Sequence, residues 1–517
     1  MFNAFAAGSQ RGAVGAALAC LLCALSSLAV ANPRVVPGLQ QWQDTPGQWQ
    51  LEAGQRIVIA TDADATQRQL AKRFADELAG VSGLPAPAVV ATAQRKPGDI
   101  ALRSRDCVLP VPAPWQRAES YTLQIDTGVQ VCAATTQGLF YGSRTVLQLL
   151  LVEGGSTHRR LPRGHALDYP RYRERAVMFD VGRKFADVDF LKRYLRFMGW
   201  YKLNTLHVHL NDHVLDDAET KWMDRSFRLK SDNPAFAGLI PQDGQFYTRA
   251  DWDALEEVAA ENGVRLVPEI DVPGHAGALV IARPDLVYTG DRPVGGTLDP
   301  RKPGTLPYVE SVFAEFLPWF RNDTVHVGGD EVNLNHGDLS TQVQVDFLNQ
   351  LGRFLIAKGK QVEMWASADF AGQLDTRFIQ QRWIEKGEEA SFDWSAHGYR
   401  WIESSGNWYV TPFHPRAFNP QGYSGQALYD GWQTRSVGEP LGGQIAQWND
   451  YAWKDYAYEP YVHDRLKAAI PAAGQIFWRG KEHQDDGLPL PYASLLPSIA
   501  RLQYGPGGKV LFGDAGL

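Results

Sequence analysis

Residues 324–331 read TVHVGGDE, and this short segment indicates how the second half of the chain folds. A strand-like run ends in two glycines, and two carboxylates, Asp330 and Glu331, follow at once. Adjacent residues of a regular strand point to opposite faces, whereas glycine lets the backbone leave the strand. The segment therefore predicts a buried strand that becomes irregular at Gly328 and Gly329, so that both carboxylates can reach one site.

Similar short runs recur on both sides of this segment. Helical patterns, such as residues 187–202 and 249–263, separate several of them. Buried parallel strands of this kind, alternating with helices, are typical of a (β/α)8 barrel, an α/β fold of the TIM type. The first four runs carry most of this prediction because the later spacing is less regular. The runs are 175–181, 204–210, 264–271, 324–329, 361–366, 378–383, 407–411 and 443–448.

The chain has 517 residues, too many for one ordinary hydrophobic core. Residues 1–31 contain Arg11, a long apolar run and a small-residue cleavage signal, which together predict a secretory signal peptide. An uncleaved membrane anchor is the alternative. Residues 32–170 are expected to form a small non-catalytic α/β domain, and 171–517 the barrel. The mature protein is expected in the periplasm or outside the cell.

Composition limits the possible partners. The formal net charge is −7, which favours neither nucleic acid nor, after signal cleavage, a membrane surface. Without the signal segment, Cys107 and Cys132 remain, and they form either a disulfide or two buried thiols. No spacing of Cys or His predicts a metal site, and no cofactor is expected. Sixteen tryptophans are available, and aromatic faces suit sugar rings.

Polar and aromatic residues follow strand after strand at the carboxyl ends of the predicted runs. In a barrel these ends meet at one mouth. A carboxylate pair, an arginine, a histidine and several tryptophans at one mouth suggest glycoside hydrolysis. Taken singly, each residue is more simply a satisfied loop residue. The residues are Asp180, Arg183, His209, Asp212, Glu269, Asp271, His275, Asp330, Glu331, Trp365, Trp383, Tyr409, Trp448 and Asp450.

Four ordered motifs resemble those of glycoside hydrolase family 20, the β-N-acetylhexosaminidases. HVGGDEVN at 326–333 resembles the family's H-x-G-G-D-E signature, and FDVGRKF, HVHLND and PEIDVPGH resemble the motifs of the first three strands. ATTQGLFYGSRTVLQLL at 134–150 resembles part of the family's domain before the barrel. The likeness extends from about residue 33 to 480 and implies the same two-domain fold.

The resemblance implies a retaining exo-glycosidase that removes terminal β-linked N-acetylhexosamine from oligosaccharides or glycoconjugates. In the family, the acetamido oxygen of the substrate attacks and forms an oxazolinium ring. Asp330 would orient the acetamide, and Glu331 would be general acid and then general base. Eight further residues would bind substrate or tune the acid. They are Arg183, Asp212, His275, Trp365, Trp383, Tyr409, Trp448 and Asp450.

The chain departs from the family pattern at three places around this site. Residues 211–222 read NDHVLDDAETKW where the family often has DDQGWR, Thr411 stands where an aspartate is common, and Asp450 replaces a common glutamate. These changes leave the core chemistry alone and bear on which sugar is bound and what it carries at its far end. Two alternatives also stay open. One is a lacto-N-biosidase of the same family, although Arg183 favours an exo-enzyme. The other is a non-catalytic sugar-binding protein, which the intact carboxylate pair disfavours.

Overall fold

The protein is described here from a computed structural model. The predicted signal peptide, residues 1–31, and Asn333 lie outside the described residues. Within the described part, no helix is both long enough and apolar enough to cross a membrane. The described residues are 32–215, 222–224, 227–241, 243–289, 296–332, 339–370, 372–384, 392–434, 436–452, 454–483, 489–503 and 505–506.

The small N-terminal domain is one mixed sheet packed against two helices. Its strand order is β1-β7-β5-β6-β4-β2-β3. A disulfide joins Cys107, in the loop after β4, to Cys132 in β6, which decides between the two states predicted for these cysteines. The elements are β1 (Gln41–Gln50), β2 (Arg56–Ile59), α1 (Ala65–Ser82), β3 (Ala88–Ala91), β4 (Ile100–Arg103), β5 (Tyr121–Ile125), β6 (Val129–Ala133), α2 (Thr136–Glu153) and β7 (Arg160–Asp168).

The rest of the chain forms the predicted parallel barrel with surrounding helices. Its elements are β8 (Glu174–Asp180), α3 (Val188–Trp200), β9 (Thr205–His209), β10 (His213–Leu215), β11 (Trp222–Asp224), α4 (Arg249–Glu261), β12 (Arg265–Glu269), α5 (Gly277–Ala282), α6 (Thr305–Phe316), β13 (Thr324–His326), α7 (Thr341–Ala357), β14 (Gln361–Trp365), β15 (Ile379–Arg382), β16 (Trp401–Glu403), β17 (Tyr409–Val410), α8 (Gly425–Gly431), β18 (Gly442–Gln447), α9 (Tyr458–Leu466), α10 (Ala469–Trp478) and α11 (Leu496–Leu502).

The barrel closes through β18, which pairs in parallel with β8 on one side and β16 on the other. Strand β16 was missed by the sequence prediction, because its sequence, WIE, has only two apolar residues before Glu403. The run predicted at 407–411 supplies only β17, which pairs with the far end of β18 rather than closing the barrel.

Buried charges hold the small domain against the amino ends of the barrel strands. Lys202 Nζ lies 2.8 Å from Asp168 Oδ2, and both side chains are at most 1% exposed. Tyr121 and Trp478 donate hydrogen bonds to the same carboxylate at 2.6 and 3.0 Å. Two further ion pairs lie at these strand ends: Arg175–Glu119 and Arg265–Glu174.

Candidate active site

The backbone leaves the strand directly after β13, as the sequence predicted. Gly328, Gly329 and Glu331 have φ values of +70°, +91° and +56°, in the left-handed region. A Cβ atom at Gly328 would lie 1.7 Å from Asp271 Oδ1. The same oxygen accepts the Gly329 N–H at 3.0 Å. This turn brings Asp330 and Glu331 into one pocket although they are neighbours in sequence.

The pocket lies at the carboxyl ends of the barrel strands and has a volume of about 90 Å³. Nine of the ten predicted site residues line it, together with Thr411 and Phe418. The exception, Asp212, lies behind the pocket wall and is fully buried. The nine residues are Arg183, His275, Asp330, Glu331, Trp365, Trp383, Tyr409, Trp448 and Asp450.

Arg183 is a fixed cation at one side of the pocket. Its guanidinium contacts Asp180 Oδ2 at 2.9 Å and Asp212 Oδ2 at 2.8 Å. Asp450 is farther away, at 4.0 Å, and its side chain is 47% exposed. The guanidinium carbon lies 5.6 Å from the ring centre of Trp448. Two buried carboxylates therefore hold the arginine in place while it faces the pocket.

His275 connects Asp212 to the carboxylate pair. Its Nδ1 lies 3.0 Å from Asp212 Oδ1, and its Nε2 lies 3.3 Å from Glu331 Oε2. Asp330 Oδ2 is also near Nε2, at 3.8 Å. Behind it, Asp212 contacts His209 Nε2 at 2.6 Å. A buried histidine held between carboxylates in this way can orient and stabilise charge on the outermost one.

The two neighbouring carboxyl groups have different pKa values because their surroundings differ. Burial raises the pKa of Asp330 to about 6, with repulsion from Glu331 adding to the effect and attraction to His275 opposing it. Burial also acts on Glu331, but the hydrogen bond and charge of His275 outweigh it and lower its pKa. The charges of Asp212 and Asp330 hold the pKa of His275 well above its usual value, against the effect of burial.

In the unliganded protein Asp330 is therefore the first of the pair to take a proton as the pH falls. This is the opposite of the order expected for Glu331 as general acid. The Glu331 side chain is 39% exposed, whereas that of Asp330 is 13% exposed. Glu331 thus lies where a bound molecule would cover it.

Aromatic side chains form the apolar part of the pocket. Trp365 is 1% exposed and donates from Nε1 to Glu269 Oε1 at 2.7 Å. The rings of Trp365 and Tyr409 lie 5.5 and 5.9 Å from that of Trp448. Trp365 therefore belongs both to the barrel core and to the pocket wall, while Trp383 and Trp448 are partly buried around it.

Four residues near the pocket were not among the ten predicted site residues, and one of them, Thr411, was noted only as a departure from the family pattern. Asp271 supports the turn at Gly328, and its place at a strand end was the only sequence signal for it. Phe418 lines the pocket from the loop after β17, where no motif pointed to it. His213 packs against His275 and lies in the segment that departs from the family pattern.

Side chains of the types that bind metal ions also lie close together inside the barrel, below the pocket. His207 Nε2 and His326 Nδ1 lie 2.9 and 3.1 Å from the oxygens of Glu269. All three side chains are fully buried. These contacts are as short as hydrogen bonds, and His326 Nδ1 also accepts the Gly328 N–H at 3.1 Å, so we assign this cluster to internal polar contacts.

The family models match both domains. The model described as "Glycosyl hydrolase family 20, catalytic domain" matches residues 172–480, and "Glycosyl hydrolase family 20, domain 2" matches residues 32–169. The chain belongs to glycosyl hydrolase family 20. The catalytic match spans the barrel strands that build the pocket.

Several known glycosidases are similar to this chain. A β-hexosaminidase of Vibrio furnissii is 26% identical over 313 residues, which cover 54% of this chain and 50% of the relative. A lacto-N-biosidase of Bifidobacterium bifidum is 27% identical over 65% of this chain and 29% of its own length. The chain thus spans half or less of these relatives. The β-N-acetylhexosaminidase structure of Streptomyces coelicolor A3(2) superposes with a TM-score of 0.70 and 23% identity, covering 91% of this chain and 95% of that one, which shows a shared fold.

Proposed function

We propose that this family 20 protein is a retaining exo-glycosidase that removes terminal β-linked N-acetylglucosamine or N-acetylgalactosamine from oligosaccharides or glycoconjugates. One observation carries the proposal. Asp330 and Glu331 share a pocket in which His275 contacts Glu331 and the fixed cation Arg183 lies to one side. This arrangement suits proton donation to a glycosidic oxygen and charge stabilisation at the neighbouring carbon.

The nucleophile in the proposed mechanism is the acetamido oxygen of the substrate. It attacks the anomeric carbon while the glycosidic bond breaks and the leaving oxygen takes a proton from Glu331. The resulting oxazolinium ring is opened by water, which gives its proton back to Glu331. Asp330 accepts the acetamide N–H and stabilises the positive charge on the ring. Two inversions at one carbon give overall retention.

Substrate binding would change which of the two carboxyl groups holds the proton, from Asp330 in the free protein to Glu331. An acetamide N–H donated to Asp330 stabilises its ionised form, which lowers its pKa. A sugar that covers Glu331 removes water from it and raises its pKa. Both changes favour a proton on Glu331, where the leaving oxygen needs it. The open face of Glu331 and the buried position of Asp330 support this step.

The remaining pocket residues have roles that fit their positions. Tyr409 would donate to the acetamido carbonyl, and the walls formed by Trp365, Trp383 and Trp448 would enclose the methyl group. Arg183 would bind the outer hydroxyl groups of the terminal sugar. Its fixed orientation between two carboxylates supports this role, because a charged donor held in advance loses little freedom on binding.

We place the mature protein outside the cytoplasm, in the periplasm or beyond. The signal-like sequence of residues 1–31 supports this, and so does the disulfide between Cys107 and Cys132, since such bonds persist in oxidising compartments. Sequencing the amino terminus of protein exported by a bacterial host tests the proposal. An unprocessed chain in the cytoplasm would contradict it.

The source of the nucleophile can be tested with a matched pair of substrates. A nitrophenyl N-acetylglucosaminide and the matching plain glucoside share ring and leaving group but differ in the acetamide. The glucoside should react at least about a thousandfold more slowly, or roughly 4 kcal/mol in barrier. A thiazoline mimic of the oxazolinium ring should also bind far more tightly than substrate. Comparable rates, or a sugar trapped covalently on a carboxylate, would refute the mechanism.

Disaccharide release is a second candidate, because the match to the lacto-N-biosidase covers 65% of this chain. The two activities are separated by comparing the nitrophenyl N-acetylglucosaminide with the matching lacto-N-bioside. We expect turnover of the monosaccharide glycoside. Preference for the lacto-N-bioside would assign the alternative.

A further inference from the structure

The orientation of the His275 ring decides whether its Nε2–H is donated to Glu331 or to Asp330. Its Nε2 lies 3.3 Å from Glu331 and 3.8 Å from Asp330. The first distance is slightly long for an N–H···O hydrogen bond. A small swing of the ring would therefore move the proton from Glu331 towards Asp330. The backbone of His275 is also in the left-handed region, with φ of +50°, which a histidine seldom adopts without support from its surroundings.

The ring of His213 lies against the face of His275. The two ring planes are 4° apart and their centres are 5.2 Å apart. Gly296 leaves room for this ring, since a Cβ atom there would lie 2.4 Å from His213 Nδ1. His213 is 5% exposed. The His275 ring is held at its two nitrogens by Asp212 and Glu331. Contact between the His213 ring and the face of His275 limits the rotation that these two contacts still allow.

The main chain of His213 is anchored to the same site. Its N–H donates to Asp212 Oδ1 at 2.7 Å, and its carbonyl accepts from Arg183 Nε at 2.9 Å. The residue that stacks on His275 is thus fixed by the partner of His275 and by the proposed sugar-binding arginine. This makes it a rigid support.

The charges around the two rings favour the stack. Burial lowers the pKa of His213 to about 3, and the cations His275 and Arg183 add to this, while Asp212 opposes it. His213 is therefore neutral where His275 is protonated, and a neutral aromatic face attracts a cation. Charged or titratable groups facing His275 are Asp212, Asp271, Asp330, Glu331 and His213, and those facing His213 are Asp212, Arg183, His275 and Glu331.

His213 lies in residues 211–222, where this chain departs from the family pattern. We propose that His213 is a positioning residue whose ring, stacked on His275 and seated against Gly296, directs the His275 Nε2–H to Glu331 rather than Asp330. This inference rests on the proposed function for its kinetic consequences. Its structural content, the orientation of His275, is independent of catalysis.

Two substitutions separate stacking from polarity. His213→Phe keeps an aromatic face and removes the ring nitrogens, whereas His213→Asn keeps a polar group near Nδ1 and removes the face. Each variant, and the wild type, is assayed on two substrates. In N,N′-diacetylchitobiose the second sugar is a poor leaving group, and in the nitrophenyl glycoside nitrophenol is a good one. The Asn variant should lose about tenfold or more in kcat/KM on the first and less than about threefold on the second. Without its His275 hydrogen bond the Glu331 carboxyl group is no longer held in one orientation, which outweighs the rise in its pKa, and only the first substrate depends on proton donation. The Phe variant should keep the wild-type ratio.

The second measurement follows the His275 ring in the free protein. Proteins with 13C-labelled histidine are titrated by NMR, and the His275 signal is assigned with a His275→Gln variant. The Asn variant should shift the His275 titration and the Phe variant should not. Thermal unfolding of each variant checks that it is folded. If the Phe variant does not fold, the Asn variant decides alone.

The inference is overturned if the Asn variant keeps the wild-type rate ratio and His275 titration, or if a folded Phe variant is as impaired as Asn. Absence of hydrolysis by the wild type would instead refute the proposed function. In that case the NMR titration still tests the position of His275. The two failures are therefore distinguishable.

Discussion

The two ends of the barrel both contain buried charge, but they balance it differently. At the amino ends, Asp168 has Lys202 as its partner. At the carboxyl ends, carboxyl groups outnumber cations among the described residues, and some of them take up protons instead. Burial raises the pKa values of Asp271 and Asp330.

The difference shows what each arrangement is suited to do. Buried charges in matched pairs are costly to break and hold two surfaces in register. Carboxyl groups in excess, placed in unequal environments, keep a proton that can move between them. The amino ends thus join the domains, and the carboxyl ends are suited to proton transfer.

The largest expected effect concerns the two carboxylates of the pocket. Glu331→Gln should lose about 10²–10⁴-fold in kcat on N,N′-diacetylchitobiose and far less on a nitrophenyl glycoside, because a good leaving group needs little proton donation. Asp330→Asn should lose rate on both substrates. Steady-state kinetics on the two substrates measure this. Equal leaving-group dependence of the two variants would show that the assigned roles are wrong.

The next largest effect is on stability and concerns the amino ends of the barrel strands. Lys202→Met leaves Asp168 buried without its cation, and should lower the free energy of unfolding by about 3–5 kcal/mol. The double variant Lys202→Met, Asp168→Asn is the control and should lose less, since no buried charge remains. Urea denaturation gives the values. The folded single variant should keep its kcat/KM; a large loss of activity would mean that the two ends are not independent.

Arg183→Ala should weaken transition-state binding by about 2–4 kcal/mol, measured as the ratio of kcat/KM values, because charge-assisted hydrogen bonds to the sugar are lost. Arg183→Lys keeps the charge but lacks the planar guanidinium group, so its kcat/KM should lie between those of the wild type and the alanine variant. Near-normal hydrolysis by the alanine variant would refute the exo assignment.

The smallest effect is a pH dependence of kcat/KM. Asp330 has a pKa of about 6, raised mainly by burial, so the free protein keeps the proton of the pair below that pH and loses it above. Since one proton is needed for catalysis, kcat/KM should fall by about tenfold per pH unit well above pH 6. A profile that stays flat from about pH 6 to 8 would contradict this assignment.

Much of the fold could be predicted because strand runs such as 175–181 are largely apolar, and polar or aromatic residues lie at or just after their carboxyl ends. The turn at Gly328 followed from the need to aim two adjacent carboxylates at one pocket. Strand β16 could not be predicted, since only Trp401 and Ile402 are apolar there and Glu403 follows at once. Its position depends on pairing with β15 and β18.

The site was predictable where the residue type itself carries the chemistry, as for Glu331 and Arg183. It was not predictable where a residue acts by position. Phe418 reaches the pocket through loop geometry, and His213 through a ring contact across 62 residues of sequence. The reversed proton order of the carboxylate pair also depends on burial, which differs between neighbours only after folding.

The close approach of Asp271 to Gly328 also limits how this protein can vary. A library of all twenty residues at position 328 should yield active protein only with glycine, because any Cβ would meet the Asp271 carboxylate. Shortening the residue at 271 would widen this tolerance only towards residues that adopt a left-handed backbone, such as Asn, since φ at 328 stays at +70°. The close contact and the left-handed backbone therefore restrict this position in two separate ways.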